Sequence, residues 1–250
     1  MSHPLQHIFL IAPAMDSEDR NKAFGIKLPL LGYPAISLAM IAALTPDDIH
    51  VRLVDVVNEP VPYGEPCDLA LIVGQTHHMP SAYHIADRLQ NDGITVILGG
   101  MHVTAFPDEA LEHGDAVIIR EGEEVWQNIL DDFANGTLKE KYYGREPELS
   151  TLPAIRRSLF NKKFYHPGEI IETTRGCPVG CHFCAVQDFF GARFRVRPAM
   201  AIKEEVLDIF GPRPPQSKWK NWLARNWHPD IPYFVERRLL YVMDSNFISE

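Results

Sequence analysis

The first part of the chain alternates compact apolar runs with helical patterns. Apolar runs at His7–Ala12, residues 51–57, Leu69–Val73, residues 95–98 and Ala116–Ile119 predict five strands. Short unbroken apolar runs of this kind fit strands that are covered on both faces. Residues 33–44 are apolar nearly all round, with Pro34 near the start, and predict a well-buried helix. Residues 81–90 place Ala82, Ile85, Ala86 and Leu89 on one face, and Gly93 suits a C-terminal cap. A further helix is predicted over residues 123–133, with a stop at Asn135-Gly136. Strands alternating with helices indicate an α/β fold: a parallel, doubly wound, flavodoxin-like (Rossmann-like) sheet.

In such sheets ligands bind beyond the carboxyl ends of the strands. Here those ends read Pro13-Ala14, Gln75-Thr76-His77-His78, Gly99-Gly100-Met101-His102 and Glu121-Gly122-Glu123. Gly99 and Gly100 let a bulky planar ligand approach the backbone, since neither carries a side chain. Gln75, Thr76 and Glu121 offer hydrogen-bond partners at neighbouring strand ends. Ordinary strand-to-helix turns are the plain alternative.

Beyond the sheet the pattern changes. Residues 138–168 are charged, show little periodicity and read as a linker with one short helix. A second unit follows, with a strand over 169–173, a cysteine-bearing loop and a helix over 198–210 that turns Ile202, Val206 and Ile209 inward. Another strand over 239–243 ends in Asp244-Ser245-Asn246. The expected division is 1–137, 138–168 and 169–250. The stretch 211–238, with Trp219, Trp222 and Trp227, reads as an inserted packing element.

Composition narrows the class. The chain has 250 residues, 46% apolar and 23% charged, which is ordinary for a folded protein and long enough for two units. Its 24 basic and 33 acidic residues give a net charge of −9, a poor footprint for nucleic acid. Arg193, Arg195 and Arg197 alternate with Phe194 and Val196, as on an extended edge. No apolar run is long enough to span a bilayer, and residues 1–7 lack a signal-peptide layout, so a cytoplasmic protein is expected.

Four cysteines, three of them within eight residues, do not form a disulfide framework. The stretch Glu172-Thr-Thr-Arg-Gly-Cys177-Pro-Val-Gly-Cys181-His-Phe-Cys184 needs a loop to turn three thiols toward one centre. Gly176, Pro178 and Gly180 supply that loop. Thiolates are the usual ligands of iron–sulfur clusters. Three cysteines on a four-iron cluster leave one iron open to a substrate or cofactor. Structural zinc is the alternative, but it wants four ligands and Cys67 lies in the other unit.

The spacing Cys177-x-x-x-Cys181-x-Phe183-Cys184 after a strand resembles the signature of radical S-adenosylmethionine (radical SAM) enzymes. The resemblance implies a 4Fe–4S cluster on Cys177, Cys181 and Cys184, with S-adenosylmethionine on the open iron cleaved to a 5′-deoxyadenosyl radical. It implies that Phe183 packs near the adenine, and that Asp244 and Asn246 contact the methionine or ribose part. A simple turn after a strand is the equal alternative for the last two.

The unit in front is similar to the cobalamin-binding domain of cobalamin-dependent members of that family. Ile97-Leu-Gly-Gly-Met-His102 with Pro107-Asp-Glu109, Arg120-Glu-Gly-Glu-Glu124, and Phe189-Phe-Gly-Ala-Arg-Phe-Arg-Val-Arg-Pro198 carry the likeness. It implies cobalamin at Gln75, Thr76, Gly99, Gly100, His102, Glu121 and Gly122. The loop after the first strand, Pro13-Ala-Met-Asp-Ser-Glu-Asp-Arg20, lacks the histidine that ligates cobalt in many such domains, so no histidine ligand is expected from it. His77, His78 and His102 are expected to line the site rather than ligate.

The family's catalytic domain is a partial barrel of six βα units. Only its start is legible before Glu250, which implies a fragment or a second polypeptide that completes it. The implied function is cobalamin-dependent methyl transfer to an unactivated carbon of a small-molecule or biosynthetic-intermediate substrate. An electron donor such as flavodoxin or ferredoxin is implied as well. A cobalamin-binding or cluster-carrying module without turnover of its own is the alternative.

Overall fold

The computed structural model describes residues 5–14, 34–160, 168–211 and 239–244. Six parallel strands form one sheet: β1 (His7–Ala12), β2 (His50–Asp55), β3 (Leu69–Val73), β4 (Thr95–Gly99), β5 (Ala116–Ile119) and β6 (Lys141–Tyr143). Their spatial order is β2-β1-β3-β4-β5-β6. This is the doubly wound order that the pattern predicts, extended by one edge strand.

Alternate residues of each strand feed two separate cores. Ile8, Leu10, Leu69, Leu71, Ile97 and Ile118 pack on one face, under helices α1 (Ile36–Leu44) and, further along, Trp126–Ala134. Phe9, Ile11, Ala70, Ile72, Leu98 and Val117 pack on the other, under α2 (Met79–Asn91) and the short helices α3 (Met101–Ala105) and α4 (Pro107–Leu111). Trp126–Ala134 is α5. A buried Leu or Ile contributes about 1.5–3 kcal/mol, so the two faces together hold the unit. Trp126 is fully buried, and its Nε1 donates to Thr45 Oγ1 at 2.9 Å.

The segment 138–168 is more than the linker expected from its charge. It contributes β6, and it then straps across α1. The Arg156 N–H donates to Ala39 O, and its Nη1 donates to Ala42 O at 3.2 Å. Phe160, Ile155 and Leu159 pack into the same core. That is why α1 is apolar all round: the sheet covers one side and the strap the other. The expected short helix is a single 3-10 turn, Arg157–Leu159.

In the second unit β7 (Gly168–Ile171) pairs in parallel with the last described strand, Leu239–Val242. Two-residue strands β8 (Thr174–Arg175) and β9 (Arg195–Val196) pair antiparallel and close the base of the cysteine loop. Inside that loop lies α6 (Val186–Phe190), and after it α7 (Ala199–Phe210). The strand Leu239–Val242 is β10. On α7 the expected residues Ile202, Val206 and Ile209 are half-buried, while Lys203, Glu204, Leu207 and Asp208 are exposed; the buried residue on that helix is Glu205, held by arginines. The loop at 15–20, the tryptophan-bearing stretch at 212–238 and Asn246 lie outside the described residues.

Candidate functional site

The carboxyl ends of β3, β4 and β5 open into a cavity that is continuous with solvent. Val73, Gly99, Gly100, Ile118 and the turn 120–123 form its floor. Met40 and Ile41 of α1 with Leu149, Leu152 and Ile155 of the strap form an apolar wall. The second unit closes the other side with Ile171, Glu172, Arg175, Phe189, Phe190 and Arg197. A largely apolar cleft with a few charged groups, at a sheet's carboxyl edge and between two units, is the usual form of a cofactor site.

Gly100 has φ 109°, and a Cβ there would collide with the carbonyl oxygen of Gly74. Only glycine lets β4 turn so close to β3. Gly99 is less constrained, since a Cβ would find its nearest neighbours, on Ile118 and Val73, at 3.7 Å.

Of the residues expected to bind cobalamin, Gly99, Gly100, Glu121 and Gly122 line the cavity. Gln75, Thr76 and His102 do not. Gln75 and Thr76 are exposed, and Gln75 caps the 3-10 turn Thr76–His78. His102 is buried with both ring nitrogens engaged, Nδ1 to Thr76 Oγ1 at 3.3 Å and Nε2 to Glu109 Oε1 at 3.2 Å. Tyr83 donates to the same Glu109 oxygen at 3.0 Å. In this arrangement His102 is a tether between β3's end and α4.

Glu121, 2% exposed, is the centre of a buried ion cluster that joins the units. Arg175 Nη1 donates to it at 2.7 Å and Arg195 Nη2 at 2.5 Å. Arg175 also meets Glu123 at 2.6 Å and Glu172 at 2.8 Å. Burial pushes the Glu121 and Glu172 carboxyls up, against the pull of these guanidiniums. Burial alone would lower Arg175, but Glu123, Glu172 and Glu121 outweigh it and raise its pKa. A second cluster holds Glu205 between Arg157, at 2.5 Å, and Arg197, at 2.6 Å. The sequence marked Glu121 but not its arginine partners. The alternation of Arg193 to Arg197 was a usable sign, because Arg195 is the buried one of the three.

The cysteine loop projects from this joint. Gly176 has φ 84°, and a Cβ would collide with Arg193 O where the loop closes. Gln187 Nε2 donates to Cys177 O at 2.7 Å, and the Cys184 N–H to Cys181 O at 3.0 Å. Cys181 is exposed, Cys177 and Cys184 are half-buried, and none of the three is in a disulfide. Phe183 is 93% exposed. Among the described residues no three His, Cys, Asp or Glu side chains are grouped closely enough to hold a metal ion. Cys67 packs against the α2-side core and donates to Leu69 O, apart from the loop.

Asp244, at the end of β10, is occupied by the backbone that enters the loop. Its Oδ1 accepts from the N–H groups of Thr173 (2.6 Å) and Thr174 (3.0 Å), and its Oδ2 accepts from Thr173 Oγ1.

Fold and site define the class: a doubly wound α/β sheet with a cysteine-loop unit docked on its carboxyl edge. The B12 binding domain family matches residues 31–130. Bacteriochlorophyllide d C-8(2)-methyltransferase of Chlorobaculum tepidum is 32% identical over 179 residues, covering 68% of this chain and 40% of that protein. The C-12(1)-methyltransferase of the same organism is 31% identical over 204 residues, covering 79% and 43%. The radical S-adenosylmethionine methyltransferase TsrM of Kitasatospora setae, solved with cobalamin and a [4Fe-4S] cluster, has the same fold with a TM-score of 0.64. It is 15% identical, over 97% of this chain and 56% of that one. The chain belongs to the cobalamin-binding-domain radical SAM enzymes. It spans about two fifths of the length of the curated relatives named here.

Proposed function

We propose that this chain carries the cobalamin and the 4Fe–4S cluster of a radical SAM enzyme that transfers a methyl group to an unactivated carbon. The observation that carries the reading is the docking of the cysteine loop onto the cavity rim through Glu121, Arg175 and Arg195. Two cofactors that must act on one substrate need adjoining sites, and this joint puts the two candidate sites side by side.

The residues fit both groups by their chemistry. Gly99, Gly100 and Gly122 give the cavity floor a surface without side chains, and the apolar wall from α1 and the strap would exclude water from a corrin face. Cys177, Cys181 and Cys184 offer three thiol donors on one exposed loop, and donors of this kind hold iron–sulfur clusters. When bound, the cluster supplies one-electron cleavage of S-adenosylmethionine and cobalamin supplies the methyl group. The chain's own part is placement. Asp244 holds the turn into the loop, so we assign it a supporting role beside any contact with S-adenosylmethionine. Phe183 remains the proposed adenine neighbour, and Asn246 a further candidate. Gly99, Gly100, Glu121 and Gly122, which line the cavity, are the proposed cobalamin contacts there, and Gln75, Thr76 and His102 remain proposed contacts at the neighbouring strand ends.

We also propose a cobalamin unit over 1–137 extended at its edge by β6, a linker over 138–168, and the start of the barrel from 169. The substrate is proposed to be a small biosynthetic intermediate, the electron donor a flavodoxin or ferredoxin, and the location the cytoplasm. No helix among the described residues is long and apolar enough to cross a membrane.

The exposure of Cys181 and Phe183 favours a second reading for residues 1–250 alone, a carrier of both cofactors without turnover. Anaerobic reconstitution with iron, sulfide and hydroxocobalamin, followed by an assay for 5′-deoxyadenosine under reduction, separates the two. Cleavage that disappears in Cys181→Ala supports the enzyme, and cobalamin binding without cleavage supports the carrier. Failure to bind either cofactor sinks both.

A further inference from the structure

Arg120 is the only residue besides glycine with a left-handed backbone among the described residues, at φ 70°. That conformation costs an L-residue about 1–2 kcal/mol, so its surroundings must hold it. The Arg120 N–H donates to Thr104 Oγ1 at 2.8 Å. Its guanidinium reaches out of the sheet: Nη2 meets Glu146 of the segment after β6 at 3.1 Å, and Nε reaches Phe189 O of the second unit at 3.4 Å. Phe189 lies in the last turn of α6, just after Cys184.

The next residues grip the same loop elsewhere. Glu121 holds Arg195 behind it and Arg175 before it, and Glu123 holds Arg175 as well. One four-residue turn thus fastens both roots of the cysteine loop and also one side of α6. All four of its residues line the cavity.

We propose that the turn Arg120–Glu123 is a positioning element that couples occupancy of the cavity to the order of the cysteine loop. The proposal rests on the reading that cobalamin occupies the cavity. A ligand seated on Gly122 restricts the turn, and the turn restricts Arg175, Arg195 and α6 together. These side chains transmit the restriction because the ion pairs are buried, where a broken pair leaves an uncompensated charge.

The test is amide hydrogen exchange, read by mass spectrometry, in residues 176–191 of the anaerobically reconstituted chain, with and without saturating hydroxocobalamin. In the parent protein, hydroxocobalamin is expected to slow exchange there by about tenfold, an ordinary coupling between sites. Arg120→Gly suits the left-handed backbone and leaves the Glu121 pairs in place. It is expected to bind hydroxocobalamin, read from the absorbance titration, and to lose the slowing over α6, where the Arg120 guanidinium holds Phe189 O, while the loop roots held by Glu121 keep theirs. Thr45→Val removes the Trp126 hydrogen bond on the α1 side of the sheet, a destabilising change away from the joint, and is expected to keep the slowing. The proposal is overturned if Arg120→Gly keeps the parent's slowing, if Thr45→Val loses it equally, or if the parent binds hydroxocobalamin with no slowing. No binding by the parent would overturn the cobalamin reading along with it.

Discussion

Gly99 and Gly100 are neighbours in sequence, yet the structure asks different things of them. Gly100 needs both its positive φ and its missing Cβ, because β4 turns against Gly74 there. Gly100→Ala is expected to cost about 1–3 kcal/mol, read as a lower urea midpoint. Gly99→Ala, with room at 3.7 Å, is expected to change the midpoint little. The cysteines divide in a similar way. Burial pushes the Cys67 thiol up to about 12, so at pH 8 almost none is thiolate. Iodoacetamide at that pH is expected to label the exposed Cys181 readily and leave Cys67 unmodified in the folded protein, as peptide mapping would report. The sequence placed all four cysteines in their units, but it could not tell which of the two glycines is obligatory. That depends on where β3 passes.

At the scale of elements, the turn between β7 and β8 depends on a residue 70 positions away. Asp244 Oδ1 accepts from the N–H groups of both Thr173 and Thr174. Asp244→Ala is expected to cost about 1–3 kcal/mol, the usual penalty of unpaired backbone donors, and Asp244→Asn less, since one amide oxygen still accepts. Chemical denaturation of the three proteins would show the order. Strand and helix positions were legible because buried strands and helices leave a hydrophobic pattern of their own. β6 was not: Lys141-Tyr142-Tyr143 is short and charged at its start, and becomes a strand only because β5 offers a free edge. The strap over α1 was hidden for the same reason. Its apolar residues follow no period, since they fit a surface made by other elements.

For the whole molecule, the cavity lies between units, so a ligand in it binds the folded arrangement of both and not the unfolded chain. At a hydroxocobalamin concentration 100-fold above its Kd, stability is expected to rise by about 2.7 kcal/mol. In a chain of this length that is a shift of roughly 5 to 10 °C in the thermal midpoint, measured by circular dichroism. An unchanged midpoint would remove the cavity as the site. The sequence by itself determined the doubly wound sheet, the strand ends at Gly99 to Gly100 and Glu121 to Gly122, and the loop that carries three cysteines, because each is written in local pattern or spacing. Only the tertiary structure decided that Glu121 faces Arg175 and Arg195, that His102 is tied to Thr76 and Glu109, and that Asp244 supports the turn into the loop. Those roles follow from which side chains meet once separate elements have packed together, and contacts between elements leave no periodic trace in the chain.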